Sequence, residues 1–156
     1  MNPVSKRRVF KLHQWQRWTL GISGLALLGS GIVWAWVHWK YEHGETGESL
    51  LYLKPWMIRI HGWSASLFTL CIGSLLATHV RLAWKARIHR INGAGMLALT
   101  AWMILSGQAL YYLGDEPWRS LASDWHFLSG IAFPGVLLLH IYLGRKQRAA
   151  WGRNPV

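Results

Sequence analysis

The stretch Trp125–Gly144, WHFLSGIAFPGVLLLHIYLG, contains no Asp, Glu, Lys or Arg, yet holds two histidines. At 1.5 Å per helical residue, about 20 apolar residues cross the roughly 30 Å hydrocarbon core of a bilayer. Working outward from this run, three more charge-free stretches appear at Trp18–Trp39, Ile60–Val80 and Ile91–Gly114. A hydrophobic content of 52% hardly separates the chain from a soluble domain; the segregation of apolar from charged residues does. The reading is an all-α fold, with helices at about 18–39, 57–81, 90–113 and 125–144. The connections are short, which favours an up-down transmembrane four-helix bundle. The 156 residues leave room for a single membrane domain, 1–156.

Charge orients these spans. Basic residues cluster before the first (Lys6, Arg7, Arg8, Lys11, Arg17), between the second and third (Arg81, Lys85, Arg87, Arg90) and after the fourth (Arg145, Lys146, Arg148, Arg153). All six acidic residues, Glu42, Glu45, Glu48, Asp115, Glu116 and Asp124, fall in the other two connections, together with Lys40, Lys54, Arg59 and Arg119. The positive-inside rule then puts both termini and the middle connection in the cytoplasm. A net charge of +11 could also suit nucleic acid. Its confinement to alternate connections argues instead for membrane topology and against a nucleic-acid partner.

Other features fit a lipid environment. Many of the 12 tryptophans sit at span ends, including Trp15, Trp18, Trp39, Trp56, Trp84, Trp118 and Trp125, where indoles meet the headgroup zone. Lys6-Arg7-Arg8 before an apolar run mimics a signal peptide, but the run is too long and lacks a small-residue cleavage site, so it reads as a retained helix. Residues 1–17 read as a basic lead-in on the inner surface, and the outer connection 40–56 as containing a short surface helix at Leu50–Leu53. The last connection, Asp115–Asp124, reads as a loop. Cys71 is single, which leaves no disulfide within the chain and no cysteine-rich metal site. It reads as a small apolar filler.

Four of the eight histidines lie in the second and fourth spans. His61 and His79 are separated by 18 residues, five whole turns at about 100° each. His126 and His140 are separated by 14, about 40° short of four turns. Each pair therefore shares a helix face. Both spans enter from the outer side, which sets His61 and His126 near the outer surface and His79 and His140 near the inner one. Ionisable groups at membrane depth are costly and usually functional. Two imidazoles from facing helices can ligate a six-coordinate haem iron, so the depths predict an outer pair His61–His126 and an inner pair His79–His140. The rises, about 27 Å along one helix and about 21 Å along the other, do not match. His13 is accordingly held in reserve as an inner ligand. Taken singly, each histidine also suits hydrogen-bonded packing or an interfacial position. Ligands four or five turns apart cannot close around one small ion. Arg59, Arg81 and Arg119 at helix ends suit haem propionates or ordinary snorkelling. His13, Arg17 and His89 at the inner surface read by default as interfacial residues.

The segment His126-Phe127-Leu128-Ser129-Gly130 leading to His140-Ile141-Tyr142 resembles the last haem-binding helix in the cytochrome b subunits of formate dehydrogenases and nickel-iron hydrogenases. These belong to the wider b561-like group. Arg59-Ile60-His61-Gly62 looks like the start of their second helix, and Trp18-Thr19 to Ser30-Gly31 and Leu105-Ser106-Gly107 look like their Ser/Thr-Gly segments. The resemblance implies two b-type haems, exchange with a quinone, and a redox partner subunit. There is one departure: in the formate dehydrogenase subunits a histidine at the start of the first helix ligates the inner haem, and here Arg17 takes that place. His79 would then substitute, as in b561-like proteins that draw all four ligands from two helices. The family's long cytoplasmic loop is also missing.

The resulting expectation is a dihaem cytochrome b carrying electrons across the membrane, more an electron-transfer subunit of an oxidoreductase complex than a stand-alone enzyme. No nucleotide, flavin or substrate motif accompanies the histidines. The alternatives are a haem-free anchor or assembly subunit and a histidine-based proton or metal-ion transporter.

Overall fold

The computed structural model describes residues 12–44, 47–85 and 90–151. The lead-in through Lys11, the connection residues Arg87 and His89, and Arg153 lie outside them. The main α-helices are α1 (Gln14–Glu42), α2 (Glu48–Leu51), α3 (Leu53–Leu75), α4 (Arg90–Tyr112) and α5 (Glu116–Trp151). α3 continues through a π-helical turn, Leu76–Val80, into a last α-helical stretch, Arg81–Lys85. No strand occurs among the described residues. The fold is all-α, and four of its helices are long and apolar enough to cross a membrane. The short surface helix, α2, starts two residues earlier than the sequence suggested.

The charge-free runs understate the helices, because a helix does not end where the lipid does. The clearest difference is at α5. The connection expected at Asp115–Asp124 is helical from Glu116 onward, so the true turn is only Leu113-Gly114-Asp115. Glu116 lies in the first turn, where carboxylates complement the helix dipole. Pro117 sits where a helix start tolerates a missing N–H, and the Arg119 amide donates to the Asp115 carbonyl. α1 likewise runs on to Glu42 and stops at Gly44, whose φ of 69° is the left-handed conformation that glycine accepts.

The chain divides into two compact units, Met1–Leu82 and Ala83–Val156. The first is an antiparallel hairpin of α1 and α3. From the connection inward, Lys54 Nζ lies 3.2 Å from His38 Nδ1, Ser30 meets His61, and the Gln16 amide donates to Ser74 Oγ at 3.0 Å. On α1 the buried positions are Gln16, Ser23, Ser30 and Val37, one every seven residues. They face Ser64, Cys71 and Leu75, buried on α3. A sustained seven-residue stripe is a helix-pairing seam, and small residues in it let two backbones approach closely. Cys71 is part of that seam, its Sγ 3.7 Å from the Gln16 carbonyl.

The second unit is a hairpin of α4 and α5. Ser106 meets His126, Trp102 Nε1 donates to Ser129 Oγ at 3.0 Å, and Asn92 Nδ2 donates to the His140 carbonyl at 3.4 Å. Its buried positions on α4 are Thr100 and Ser106.

Burial is inverted relative to a water-soluble protein. Among the described residues the buried set is mostly polar or small, whereas Leu25, Trp63 and Leu70 are each about three-quarters exposed. Such apolar exposure is untenable in water and natural in lipid. The buried hydroxyls satisfy themselves on their own helices: Ser23 donates to the Thr19 carbonyl, Ser30 to Ala26 and Thr100 to Met96. The protein is a multi-pass membrane protein with lipid as its surroundings.

Candidate cofactor-binding site

Each hairpin builds the same contact around one histidine. In the first, Ser30 Oγ lies 3.1 Å from His61 Nδ1, and a Cβ on Gly31 would come within 3.5 Å of His61 Cε1. In the second, Ser106 Oγ lies 2.8 Å from His126 Nδ1, and a Cβ on Gly107 would come within 3.3 Å of His126 Cε1. A Ser-Gly pair on the first helix of each hairpin thus receives a half-buried imidazole from the second. The serine takes the ring's Nδ1, and the glycine leaves space for the ring's edge. The Leu27 carbonyl is a further acceptor for the His61 ring.

The correspondence extends along the helices. Gln16 precedes Ser30 by the same interval, 14 residues, that separates Asn92 from Ser106. Both amides hydrogen-bond across their own hairpin. The chain therefore contains two copies of one device: an amide on the partner helix at one end, and a serine and glycine on an imidazole nearer the connection. Ser30, Ser106, Gln16 and Asn92 were not expected as site residues. Their shared spacing is the sequence signal that points to them.

At the other end of the helices the copies differ. His140 lies opposite Asn92, whereas Ser74 lies opposite Gln16. His79 is more than a turn further along, inside the π turn, where the Arg81 amide donates to the Leu76 carbonyl five residues back. The Thr78 hydroxyl bonds the Ser74 carbonyl at 2.9 Å, competing with the helical ladder where the π turn begins. The count of five whole turns between His61 and His79 holds for a uniform α-helix. One π turn absorbs an extra residue, which sets His79 about 100° from the place a uniform helix would give it and shortens the rise between the two. π turns are frequent at functional sites. His140 Nδ1 is buried and has no hydrogen-bond partner in the described structure. Pro134, between His126 and His140, removes one ladder donor from α5.

The remaining candidates are more exposed. His13 caps the start of α1, its amide accepted by Gln16 Oε1 at 3.0 Å. Arg17 lines a groove of about 500 Å³ with Leu12, Gln14, Trp18 and Gly21. Arg59 lies over the Trp56 ring at 5.1 Å, Arg119 pairs with Glu116, and Arg81 is exposed at the end of the π turn. Near the connection of the first hairpin, Lys54 lies over Trp34 and Tyr41 and beside His38, which pairs with Glu42 at 3.3 Å. Among the described residues no group of three or more His, Cys, Asp or Glu converges as a small metal ion needs.

Fold and site together define a helical multi-pass membrane protein that presents serine-anchored imidazoles from two hairpins. The chain matches no protein-family model, no curated protein and no solved structure.

Proposed function

We propose that the chain is a dihaem b-type cytochrome that passes electrons across a bacterial inner membrane, as the membrane subunit of a redox complex exchanging electrons with the quinone pool. The observation that carries this reading is the repeated Ser-Gly-imidazole contact at His61 and His126. Metal-ligating histidines characteristically hold one ring nitrogen on a hydrogen-bond partner and offer the other to the metal. Here two hairpins each hold a ring by Nδ1.

The residues present fit the group. A haem would take one imidazole nitrogen from each of two helices, so histidines several turns apart along a helix could each serve a different haem. Gly31 and Gly107 keep the ring edges clear, and His140 has a buried nitrogen without a hydrogen-bond partner in the described structure. His61 and His126 would hold the outer haem, and His79 and His140 the inner one, with His13 as the reserve ligand. Arg59, Arg81 and Arg119 would neutralise propionates. Haem iron held by these residues would supply one-electron transfer. The protein contributes ligand type, hydrogen bonding and exclusion of water, the levers that set a haem's potential. Arg17, in its groove of about 500 Å³, would orient a quinone together with His13 and His89; of these three, His89 lies outside the described residues. Both termini would face the cytoplasm, where the basic clusters lie.

The test is a pyridine haemochrome assay on the purified protein and on four His→Ala variants. Two haems per chain are expected. His61→Ala and His126→Ala should each remove the same haem, and His79→Ala and His140→Ala the other. Colourless protein from haem-replete cells would instead favour a haem-free anchor or an ion transporter. If His13→Ala loses a haem that His79→Ala retains, the reserve ligand is the true one.

A further inference from the structure

We propose that Lys54 and Arg119, one from each hairpin, bind the propionates of the outer haem. This rests on the cytochrome reading and narrows its choice of carboxylate partners at the outer site, adding Lys54 and setting Arg59 aside.

The placement of the two cations is the first argument. Lys54 stands seven residues before His61 on α3, and Arg119 seven before His126 on α5. Seven residues fall about 20° short of two turns and rise about 10.5 Å. Each cation therefore lies on the face of its helix that carries the imidazole, two turns nearer the connection. Arg59 is only two residues from His61, about 160° round the helix from it. It is exposed and rests on the Trp56 ring. The device repeated in the two hairpins thus includes a positive charge as well as a serine, a glycine and an imidazole.

The surroundings of Lys54 are the second argument. Its ammonium lies 3.2 Å from His38 Nδ1 and over the rings of Trp34 and Tyr41, at 5.5 and 5.2 Å. Glu42 is held by His38 Nε2 at 3.3 Å, on the far side of that ring. Among the described residues no carboxylate pairs with Lys54 itself. An ammonium has three hydrogens, so the contact with His38 leaves others to give. Beside it, Trp34 Nε1 is buried and has no hydrogen-bond partner in the described structure, and an indole nitrogen can only donate. A half-buried charge and an unpaired donor are both costly at low dielectric. One anionic acceptor relieves both. Snorkelling does not account for the arrangement, because a snorkelling lysine runs out to the headgroups. This one is folded over Trp34, one turn along α1 from Ser30, the residue that meets His61.

Arg119 is more open. It is exposed and pairs with Glu116 on its own helix. An exposed pair of this kind contributes little, and a guanidinium has five N–H donors in a fork that matches a carboxylate. Glu116 therefore leaves it available.

The test compares iron protoporphyrin with its dimethyl ester, in which both propionates are uncharged. Each is titrated by its Soret absorption into the haem-free full chain in detergent micelles, in a His140→Ala background where only the outer site should fill. The free acid should bind at least about tenfold more tightly, since hydrogen bonds to charged groups commonly carry that much. Lys54→Met and Arg119→Gln should each reduce the preference and together abolish it, while ester binding persists and reports a folded protein. Lys54→Arg should restore it. Lys40→Gln, which removes a different cation near the same connection, should leave it intact. Equal affinity for acid and ester with Lys54 and Arg119 in place overturns the proposal and leaves the cytochrome reading standing. A preference that survives the double variant also overturns it, and its loss in Arg59→Gln would pass the role to Arg59. Uptake of neither porphyrin ends the cytochrome reading and this proposal together.

Discussion

His61 and His126 each meet a glycine as well as a serine, and that pair of contacts makes the site sensitive to single atoms. At Gly107 an added Cβ lies 3.3 Å from the His126 ring, so alanine already requires the imidazole to give by a few tenths of an ångström. Valine adds two methyl groups to the same space, and overpacking of this kind costs about 1–3 kcal/mol. Gly107→Val should therefore abolish the haem assigned to His61 and His126, read as loss of half the haemochrome signal. Gly73→Ala is the control: its Cβ would meet nothing within 4 Å, and both haems should remain. At this scale the sequence was informative about which residues are unusual and silent about what they touch. The four membrane histidines and the Ser-Gly pairs stood out in it, but only the hairpin contacts join Ser30 to His61 and Ser106 to His126.

At the scale of the helix, the stripe of Gln16, Ser23, Ser30 and Val37 decides how the first hairpin closes. Interhelical hydrogen bonds in membrane proteins contribute about 0.6 kcal/mol on average and up to about 1.7. Gln16→Leu removes the bond to Ser74 and should destabilise the protein by an amount in that range, measured by detergent-denaturation equilibria. The haem assigned to His61, nearer the other end of the hairpin, should persist. The π turn makes a sharper prediction. Because the π turn already absorbs one residue, a further alanine inserted beside Ala77 has no turn to take it up and would rotate His79 by about 100° relative to His61. The inner haem should be lost and the outer one kept. Survival of both would remove His79 from the ligand set. Neither the π turn nor the early start of α5 could be read from apolar runs, because a hydropathy pattern records where lipid begins and ends. The hydrogen-bond ladder is set by local competitors such as Thr78 on the Ser74 carbonyl, and by the favourable start at Glu116-Pro117.

For the whole molecule, four apolar spans with basic residues on alternate connections predict one orientation. In a Cys71→Ser background, single cysteines introduced at Glu42 or Asp115 should react with a membrane-impermeant maleimide in intact cells. One at Arg145 should react only after the membrane is opened. The reverse pattern would invert the topology and exchange the outer and inner sites. The sequence by itself determined that this is an all-α protein with four membrane spans, because the cost of placing charge or unpaired backbone in hydrocarbon leaves few other ways to arrange four long uncharged runs. It also singled out the histidines, since an imidazole in such a run is conspicuous without any neighbour. Tertiary structure alone decided that the chain folds as two hairpins carrying the same device, with Ser30 and Gly31 on His61 and Ser106 and Gly107 on His126. A hydrogen bond between residues 20 or 31 positions apart depends on the register of two packed helices. That register is set by how small residues along both seams interlock, a property of the pair that neither helix states alone.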